Sequence, residues 1–369
     1  MNEPAMNELA DATGINFPPV IYACDFSIWK KPIVRRFFVG SRVVFVRSAS
    51  QVPTDGTLVV WGRKPIPGKL PVGVQLIHLE DGFLRSVGLG ADLIRPVSWV
   101  IDSLGIYYDA TRPSGLEVLL QTAEFTPDLL ARAAWFRERI VNTGLTKYNV
   151  GSSGWQRPEY NPLPPSGEGT QSASRRVILV PGQVESDASL RFGAPGICTN
   201  LGLLRAVREA NPNAYLLYKP HPDVVAGLRR KGQDEDEAGR WCDEAVVDAD
   251  MGELLQQVDE VHTLTSLAGF EALLRGKKVI CYGQPFYAGW GLTMDIEPIF
   301  RRSRRLSLDM LVAGALILYP IYISRTTGRL TTPERALDEL LAWRAAETSC
   351  LPWWNTAYRF VVGKYLRRA

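Results

Sequence analysis

A short apolar segment that ends in Pro-Gly and is followed by two carboxylates is the feature that most constrains the fold of this chain. Residues 177–180 are Val, Ile, Leu and Val, which predicts a buried strand, and Pro181 and Gly182 end it. Glu185 and Asp187 follow within five residues. Because ligands of open α/β sheets bind beyond the carboxyl ends of strands, this loop is a candidate site. The same carboxylates also suit a helix N-cap, and position alone leaves both interpretations open.

The order of strand, turn and helix recurs along all 369 residues and falls into two halves. Predicted strands lie at 20–24, 42–47, 58–61, 74–79 and 99–102 in the first half and at 177–180, 215–218, 245–248, 260–262 and 278–282 in the second. Helical patterns are predicted over 124–143, 200–210, 268–274, 306–318 and 333–346. Alternating strands and helices are typical of parallel sheets, so each half is expected to be Rossmann-like.

A change of composition separates the two halves. Residues 158–174 are rich in Pro, Gly and Ser and lack an apolar period, which predicts a linker or a disordered insertion. We therefore predict an N-terminal Rossmann-like domain over 1–175, a C-terminal Rossmann-like domain over 176–325 and C-terminal helices over 326–369. An α/β protein with two such domains flanking a cleft has the GT-B architecture of glycosyltransferases.

Charge and cysteine usage exclude several classes of protein. The net charge is only +3, from 42 basic and 39 acidic residues, which predicts no nucleic-acid partner. Five scattered cysteines without a CxxC motif are typical of reduced thiols in a cytoplasmic protein, and no residues have metal-ligand spacing. No signal peptide is predicted, and the apolar run 311–323 is too short to span a bilayer. The basic, aromatic residues 353–368 predict a docked terminal helix or, alternatively, contact with an anionic membrane surface.

Two further strand ends in the second half carry candidate anion-binding groups. Lys219 and His221 alternate with prolines, which stiffen a turn that suits a phosphate or a carboxylate. Ser266 begins a predicted helix, where free amides bind anions, and Glu271 lies about one turn further along, placed to accept hydrogen bonds from sugar hydroxyls. The alternatives are a tight turn whose His bonds the backbone, and an ordinary Ser cap followed by a surface Glu.

Two loops complete the set of candidates. Residues 283–291 combine three glycines with three aromatic residues, a pattern typical of a ligand-contacting loop or of a core-packing loop. In the first half, Glu80, Asp81 and Arg85 follow a predicted strand. Across a cleft between two domains they would face Asp187, and the alternative is a capped turn.

Together these segments resemble the β-Kdo glycosyltransferase modules of KpsC-type capsule polysaccharide export proteins. The matching motifs are WGRKP at 61–65, EDGFLRS at 80–86, SLGIYYD at 103–109, GQVESD at 182–187, KPHP at 219–222, TSLAGFE at 265–271 and CYGQPFYAGWGLT at 281–293. They follow one another in order over most of residues 60–325. The resemblance implies a GT-B fold, a CMP-β-Kdo donor bound by the 176–325 domain, and an acceptor domain at the N-terminal side.

The resemblance also implies retention of configuration, which requires two displacements through a covalent intermediate. It implies Asp187 as the nucleophile, with Glu185 as the second choice, and Glu80 or Asp81 as the base that takes the acceptor proton. The implied substrate-binding residues are Lys219, His221 and Ser266 for the leaving phosphate, Glu271 for the ribose, Gln183, Gln284 and Tyr287 for the donor pocket, and Arg85 for a carboxylate of the acceptor. No metal or other cofactor is expected, because cations near the phosphate could replace a divalent metal.

The resemblance further implies a lipid-linked Kdo acceptor in capsule or surface polysaccharide synthesis, with peripheral contact to the inner membrane and to capsule export machinery. Two other functions stay open from the residues. The first is transfer of another CMP-linked keto-sugar acid, as in a sialyltransferase. The second is a non-catalytic module that binds an acidic glycolipid, which the paired carboxylates Glu185 and Asp187 argue against.

Overall fold

The computed structural model describes residues 17–88, 94–149, 151, 154–158 and 175–348. Its strands are β1 (Val20–Cys24), β2 (Arg42–Val46), β3 (Thr57–Trp61), β4 (Gln75–Asp81), β5 (Ser98–Asp102), β6 (Val177–Pro181), β7 (Tyr215–Lys219), β8 (Glu244–Ala245), β9 (Glu260–Thr263), β10 (Lys278–Cys281), β11 (Met294–Asp295), β12 (Pro320–Ile323) and β13 (Leu330–Thr331). Its α-helices are α1 (Lys31–Phe37), α2 (Gly115–Thr122), α3 (Pro127–Asn142), α4 (Ala188–Gly193), α5 (Asn200–Ala210), α6 (Pro222–Val225), α7 (Met251–Gln257), α8 (Leu267–Leu274), α9 (Leu308–Val312) and α10 (Pro333–Thr348).

The described strands form two sheets. The first has the order β13-β12-β5-β4-β3-β1-β2, and the second has the order β11-β10-β9-β6-β7-β8. All pairings within the second sheet are parallel. In the first sheet β1 to β4 are parallel, whereas β5 pairs antiparallel with both β4 and β12. The prediction of an α/β protein with two Rossmann-like halves is confirmed.

The central strand of the second sheet shows why the apolar segment folds as it does. Every residue of β6 is buried, because β7 and β9 flank it and helices cover both faces. Pro181 lies at the end of this strand, and the next amide, that of Gly182, donates to the Lys219 carbonyl at 2.8 Å. The Pro-Gly pair therefore ends β6 while the last carbonyl of the adjacent strand β7, that of Lys219, still accepts a hydrogen bond.

The chain returns to the first sheet after completing the second. Strand β12 pairs with β5, and β13 pairs with β12. The predicted boundary at residue 325 therefore falls between two strands of the first sheet, because residues 320–323 belong to that sheet. Helix α9 continues as a π-helical segment, Ala313–Leu318, within the predicted helix 306–318.

The two halves share one hydrophobic core at the base of the cleft. Phe83 of the first half lies with its ring centroid 4.5 Å from that of Phe286 in the second. Helix α10 packs beside α3, where Arg132 makes two hydrogen bonds to Glu334 at 2.6 and 3.0 Å. The Phe83–Phe286 contact thus joins the two halves directly.

Three regions of interest lie outside the described residues. They are the first 16 residues, residues 159–174 of the predicted linker, and the basic, aromatic residues 353–368. Within the described part of the chain, no helix is both long and apolar enough to cross a bilayer.

Candidate active site

A cleft of about 610 Å³ lies between the two sheets, at the carboxyl ends of strands from both. The predicted site residues that line it are Gln183, Asp187, His221, Ser266, Glu80, Asp81 and Arg85. The structure therefore brings together groups that lie up to 186 positions apart in the sequence, between residues 80 and 266. This convergence is expected where parallel strands end at one edge of each sheet.

Asp187 occupies the N-cap position of α4 but makes no capping hydrogen bond with its side chain. Its carboxylate lines the cleft with 44% of the side chain exposed, and its nearest cation is Arg229 at 3.9 Å. Burial raises the pKa of Asp187 above its usual value, and Arg229 and Lys147 act in the opposite direction. Because no backbone amide binds it, this carboxylate is available to a ligand.

Glu185 has a different environment from Asp187. Its two carboxylate oxygens accept hydrogen bonds from the backbone amides of Asn200 and Gln233, each at 2.7 Å. It is not among the residues that line the cleft. Glu185 therefore ties the start of α5 to the 229–235 segment, and the structure separates the two carboxylates that the sequence places together.

Gln183 joins two loops of the second half. Its side-chain carbonyl accepts from the Thr265 amide at 2.9 Å, and its side-chain amide donates to the Thr265 hydroxyl at 3.0 Å. Its own backbone amide donates to Asn200 at 2.9 Å. The side chain that was predicted to contact the donor therefore fixes the spacing between the β6 and β9 loops at the edge of the cleft.

The two anion-binding residues predicted at the end of β7, Lys219 and His221, lie in different environments. His221 lines the cleft, and its Nδ1 accepts a hydrogen bond from the Asp223 amide at 3.2 Å, so the neutral ring bears its proton on Nε2. Burial and the nearby cations Lys147 and Arg229 lower the pKa of His221 to about 4. Lys219 is buried and does not line the cleft; burial lowers its pKa, which Asp248 and Asp250 partly offset.

The start of the β9–α8 motif lines the cleft through Thr265, Ser266 and Leu267, whereas its end does not. Ser266 caps α8 by accepting from the Ala268 amide at 3.2 Å, and it lines the cleft. Glu271, one turn into α8, is buried and accepts from the Lys147 backbone amide at 2.8 Å. Burial raises the pKa of Glu271 to about 7. Glu271 does not line the cleft, so its contact with the ribose stays a prediction.

The glycine-rich loop supports the site from behind. Tyr287 is fully buried, and its hydroxyl donates to the Ser266 carbonyl at 2.5 Å. Its ring lies so close to Gly269 that a Cβ there would meet the Tyr287 hydroxyl at 2.2 Å. The Gln284 side chain turns toward the carbonyls of Glu297 and Pro298, each at 3.4 Å. Neither Gln284 nor Tyr287 lines the cleft, whereas Pro285 and Phe286 of the same loop do.

Glu80 and Asp81, adjacent in sequence, differ in their partners. Asp81 binds Arg85 at 2.6 Å and accepts from the Trp99 indole at 3.2 Å. Burial alone would raise the pKa of Asp81, but Arg85 and Lys147 outweigh it and hold that pKa below its usual value. Burial and the neighbouring Asp81 raise the pKa of Glu80 to about 7. Glu80 is thus the carboxylate suited to exchange a proton near neutral pH.

Arg85 is committed to the protein itself. Its guanidinium donates to Asp81, to the Ser86 hydroxyl at 2.8 Å and to the Ile94 carbonyl at 3.1 Å, and the residue is only 2% exposed. It borders the cleft while its donors point to these protein groups. Arg85 therefore holds Asp81 in place and lowers its pKa, and it does not present a free cation to the cleft.

The sequence analysis gave no role to further residues that line the cleft, and these include eleven cationic or aromatic residues. They are Trp29, Lys30, Trp61, Arg63, Lys64, Tyr107, Tyr108, Lys147, Tyr148, Arg191 and Arg229. Lys30 lies over the Trp61 ring, 3.0 Å from its centroid. Gly62, at φ +55°, allows a close approach, since a Cβ there would lie 2.6 Å from the Tyr108 hydroxyl and 3.1 Å from Glu80. The WGRKP motif at 61–65 was a usable signal for part of this wall.

The described cleft carries an excess of positive charge. Seven Lys and Arg side chains line it against four Asp and Glu side chains, and the low pKa of His221 leaves that ring neutral. Such a wall favours an anionic ligand. No group of three or more His, Cys, Asp or Glu side chains placed to hold a metal occurs among the described residues.

Two Rossmann-like domains with a polar cleft between their strand ends form the GT-B architecture, as predicted. A family model described as capsule polysaccharide biosynthesis protein matches residues 68–145 and 166–328. The chain belongs to this family.

Curated relatives support the same family. The capsule polysaccharide modification protein LipA of Neisseria meningitidis serogroup A is 45% identical over 335 residues, which are 87% of this chain and 45% of LipA. The lipopolysaccharide-processing protein LpsZ of Rhizobium meliloti is 41% identical over 87% of this chain and 74% of its own length. The chain thus spans about half the length of LipA.

Solved structures match the fold in more detail. The β-Kdo 2,7 transferase of Thermosulfurimonas dismutans KpsC is 41% identical, with a TM-score of 0.70, over 88% of this chain and 99% of that one. The β-Kdo 2,4 transferase of the same organism's KpsC is 34% identical, with a TM-score of 0.74, over the same shares.

Proposed function

We propose that the chain is a retaining glycosyltransferase that moves Kdo from CMP-β-Kdo to a Kdo-containing, lipid-linked acceptor in capsule or surface polysaccharide synthesis. The two similar KpsC domains, which this chain covers almost completely, are β-Kdo transferases by name. Contact with the inner membrane and with export machinery stays a prediction.

One observation supports the mechanism above all others. The Asp187 carboxylate faces the cleft, is half exposed and makes no capping hydrogen bond, although it stands at a helix N-cap. A nucleophile needs an unbound carboxylate that substrate can reach. Glu185, whose oxygens are both occupied by amides, lacks this property.

In the first displacement, an Asp187 oxygen attacks the anomeric carbon of Kdo, and the bond from that carbon to the phosphate oxygen of CMP breaks. CMP leaves with the bonding electrons, and a covalent glycosyl–Asp187 ester remains. The Nε2–H of His221 and the start of α8 at Ser266 lie on the cleft wall to stabilise the departing phosphate.

In the second displacement, an acceptor hydroxyl attacks the same carbon and releases Asp187. Glu80 takes the hydroxyl proton, which its pKa of about 7 permits near neutral pH. Two inversions restore the original configuration. The proposal uses no metal, because the cationic residues of the cleft would balance the charge of the donor.

The test is mass spectrometry of the acceptor after incubation with CMP-Kdo and Kdo-terminated lipid acceptors. The wild-type protein should add Kdo, and Asp187→Ala should add none while it still binds CMP in calorimetry. The control is Asp128→Ala, at an exposed aspartate in the first turn of α3, which should retain activity.

Two outcomes would contradict the proposal. No transfer by the wild-type protein to any of several Kdo-terminated acceptors would exclude the reaction. Full transfer by Asp187→Ala would exclude this nucleophile. Competition with CMP-sialic acid separates the proposed donor from another CMP-linked keto acid.

A further inference from the structure

The segment that joins the two halves places a lysine in the middle of the cleft. Lys147 follows the end of α3, and its backbone is held from both sides. Its amide donates to Glu271 of α8 at 2.8 Å, and its carbonyl accepts from the Ser86 amide of the first half at 3.3 Å. The Lys147 side chain is thus positioned by both domains at once.

The ammonium of Lys147 lines the cleft without a bound carboxylate. Arg63, Arg85 and Arg229 pair with Asp109, Asp81 and Asp187. Within the described parts of the chain, no carboxylate oxygen lies within 4.0 Å of the Lys147 Nζ and no hydrogen-bond acceptor is assigned to it. The Lys147 Nζ lies 5.3 Å from the centroid of the Tyr148 ring.

Lys147 lies between the two walls of the cleft that carry the proposed base and the proposed nucleophile. It is close enough to Glu80 and Asp81 on one wall, and to Asp187 and His221 on the other, to shift the pKa of each. In the proposed mechanism the anomeric carbon lies between Asp187, which bonds to it, and the acceptor hydroxyl that Glu80 deprotonates, so a cation between these two carboxylates lies beside that carbon.

We propose that Lys147 binds the carboxylate next to the anomeric carbon of the transferred keto-acid sugar, and so positions that carbon over Asp187. This inference rests on the proposed function. A keto-acid donor has two anions close to the reacting carbon, its own carboxylate and the phosphate that leaves. The phosphate has His221 and the α8 start beside it, and Lys219, which was predicted to serve it, does not line the cleft. Of the cations that line the cleft, Lys147 is the one whose charge acts on Asp187 of one wall and on Glu80 of the other, so we assign it to the sugar carboxylate.

The test compares Lys147→Met with wild type, because Met keeps most of the length and loses the charge. Loss of a charge-assisted hydrogen bond corresponds to about a 10- to 100-fold fall in kcat/KM for the keto-acid donor. The affinity for CMP, which has no sugar carboxylate, should stay within about twofold. Lys147→Arg should recover part of the activity, and Lys69→Met, at an exposed lysine outside the cleft, should equal wild type.

The outcomes separate this inference from the proposed function. If wild type transfers no keto acid, the proposed function fails. If wild type is active and Lys147→Met has unchanged kcat/KM for the donor, the carboxylate assignment is overturned. It is also overturned if Lys147→Met lowers the affinity for CMP by as large a factor as it lowers kcat/KM for the donor, and that result would assign Lys147 to the phosphate. If Lys147→Met unfolds, as judged by its thermal transition, Lys147→Arg and Lys147→Gln provide the same comparison. Equal activity of these two variants would also overturn it.

Discussion

Replacing Glu80 with glutamine tests the acid–base part of the mechanism most directly. Glu80 has a pKa of about 7, raised from 4.5 by burial and by the adjacent Asp81. A base acts only in its ionised form, so activity should rise with pH through this value. The ionised fraction is about one tenth at pH 6, about half at pH 7 and about nine tenths at pH 8.

The expected profile of kcat/KM for the acceptor therefore rises about fivefold from pH 6 to pH 7 and about twofold from pH 7 to pH 8. Glu80→Gln should lower the rate by about 100- to 10,000-fold and remove this acid limb. The assay is product formation by mass spectrometry at a series of pH values, with the stability of the donor measured separately at each. The Glu80→Gln protein should also accumulate the covalent Kdo adduct on Asp187.

Asp81→Asn serves as the matched control. Asp81 pairs with Arg85 and its pKa is held low, so this variant should be less stable but should keep an acid limb. A wild-type profile that is flat from pH 5 to pH 8, or an unchanged limb in Glu80→Gln, would refute Glu80 as the base.

Two predictions concern the supports of the site. Glu271→Gln should raise the free energy of unfolding relative to wild type by about 3 kcal/mol at pH 8 and by almost nothing below pH 4.5. The reason is that the pKa of Glu271 is raised from 4.5 to about 7 in the folded protein, so wild type loses stability as the pH rises from 4.5 to 7. Calorimetry should show unchanged CMP affinity, and an equal stability difference at pH 4 and pH 8 would contradict this. Glu117→Gln should lower the free energy of unfolding by about 3 kcal/mol, because it removes the carboxylate charge that the buried Arg302 meets at 2.8 Å. Urea denaturation should show a smaller loss, below about 1 kcal/mol, for the more exposed Arg301→Gln, and equal losses would refute the argument.

The predicted residues of the second half that line the cleft share one property: they lie in loops that follow strands. Gln183 and Asp187 follow β6, His221 follows β7, and Ser266 follows β9. The position of a residue just beyond a parallel strand fixes the edge of the sheet at which it lies. Periodicity and turn residues were therefore enough to bring these groups to one cleft.

The sequence did not predict in which direction a side chain points from that edge of the sheet. Glu185 and Asp187 are two residues apart, yet one binds amides of Asn200 and Gln233 and the other faces the cleft. Glu271 turns to the Lys147 amide, a partner 124 positions away. Such choices depend on which distant segment supplies an unpaired donor, and no local pattern encodes this.

The amino-acid sequence by itself determined the two α/β halves, the strand ends where a ligand binds and the family motifs, because these follow from local periodicity and turn chemistry. Only the tertiary structure decided that Lys147 enters the cleft while Lys219 does not, and that Glu80 and Asp81 differ in pKa. Burial and the approach of charges from other segments set those properties, and both exist only once the two sheets have packed against each other.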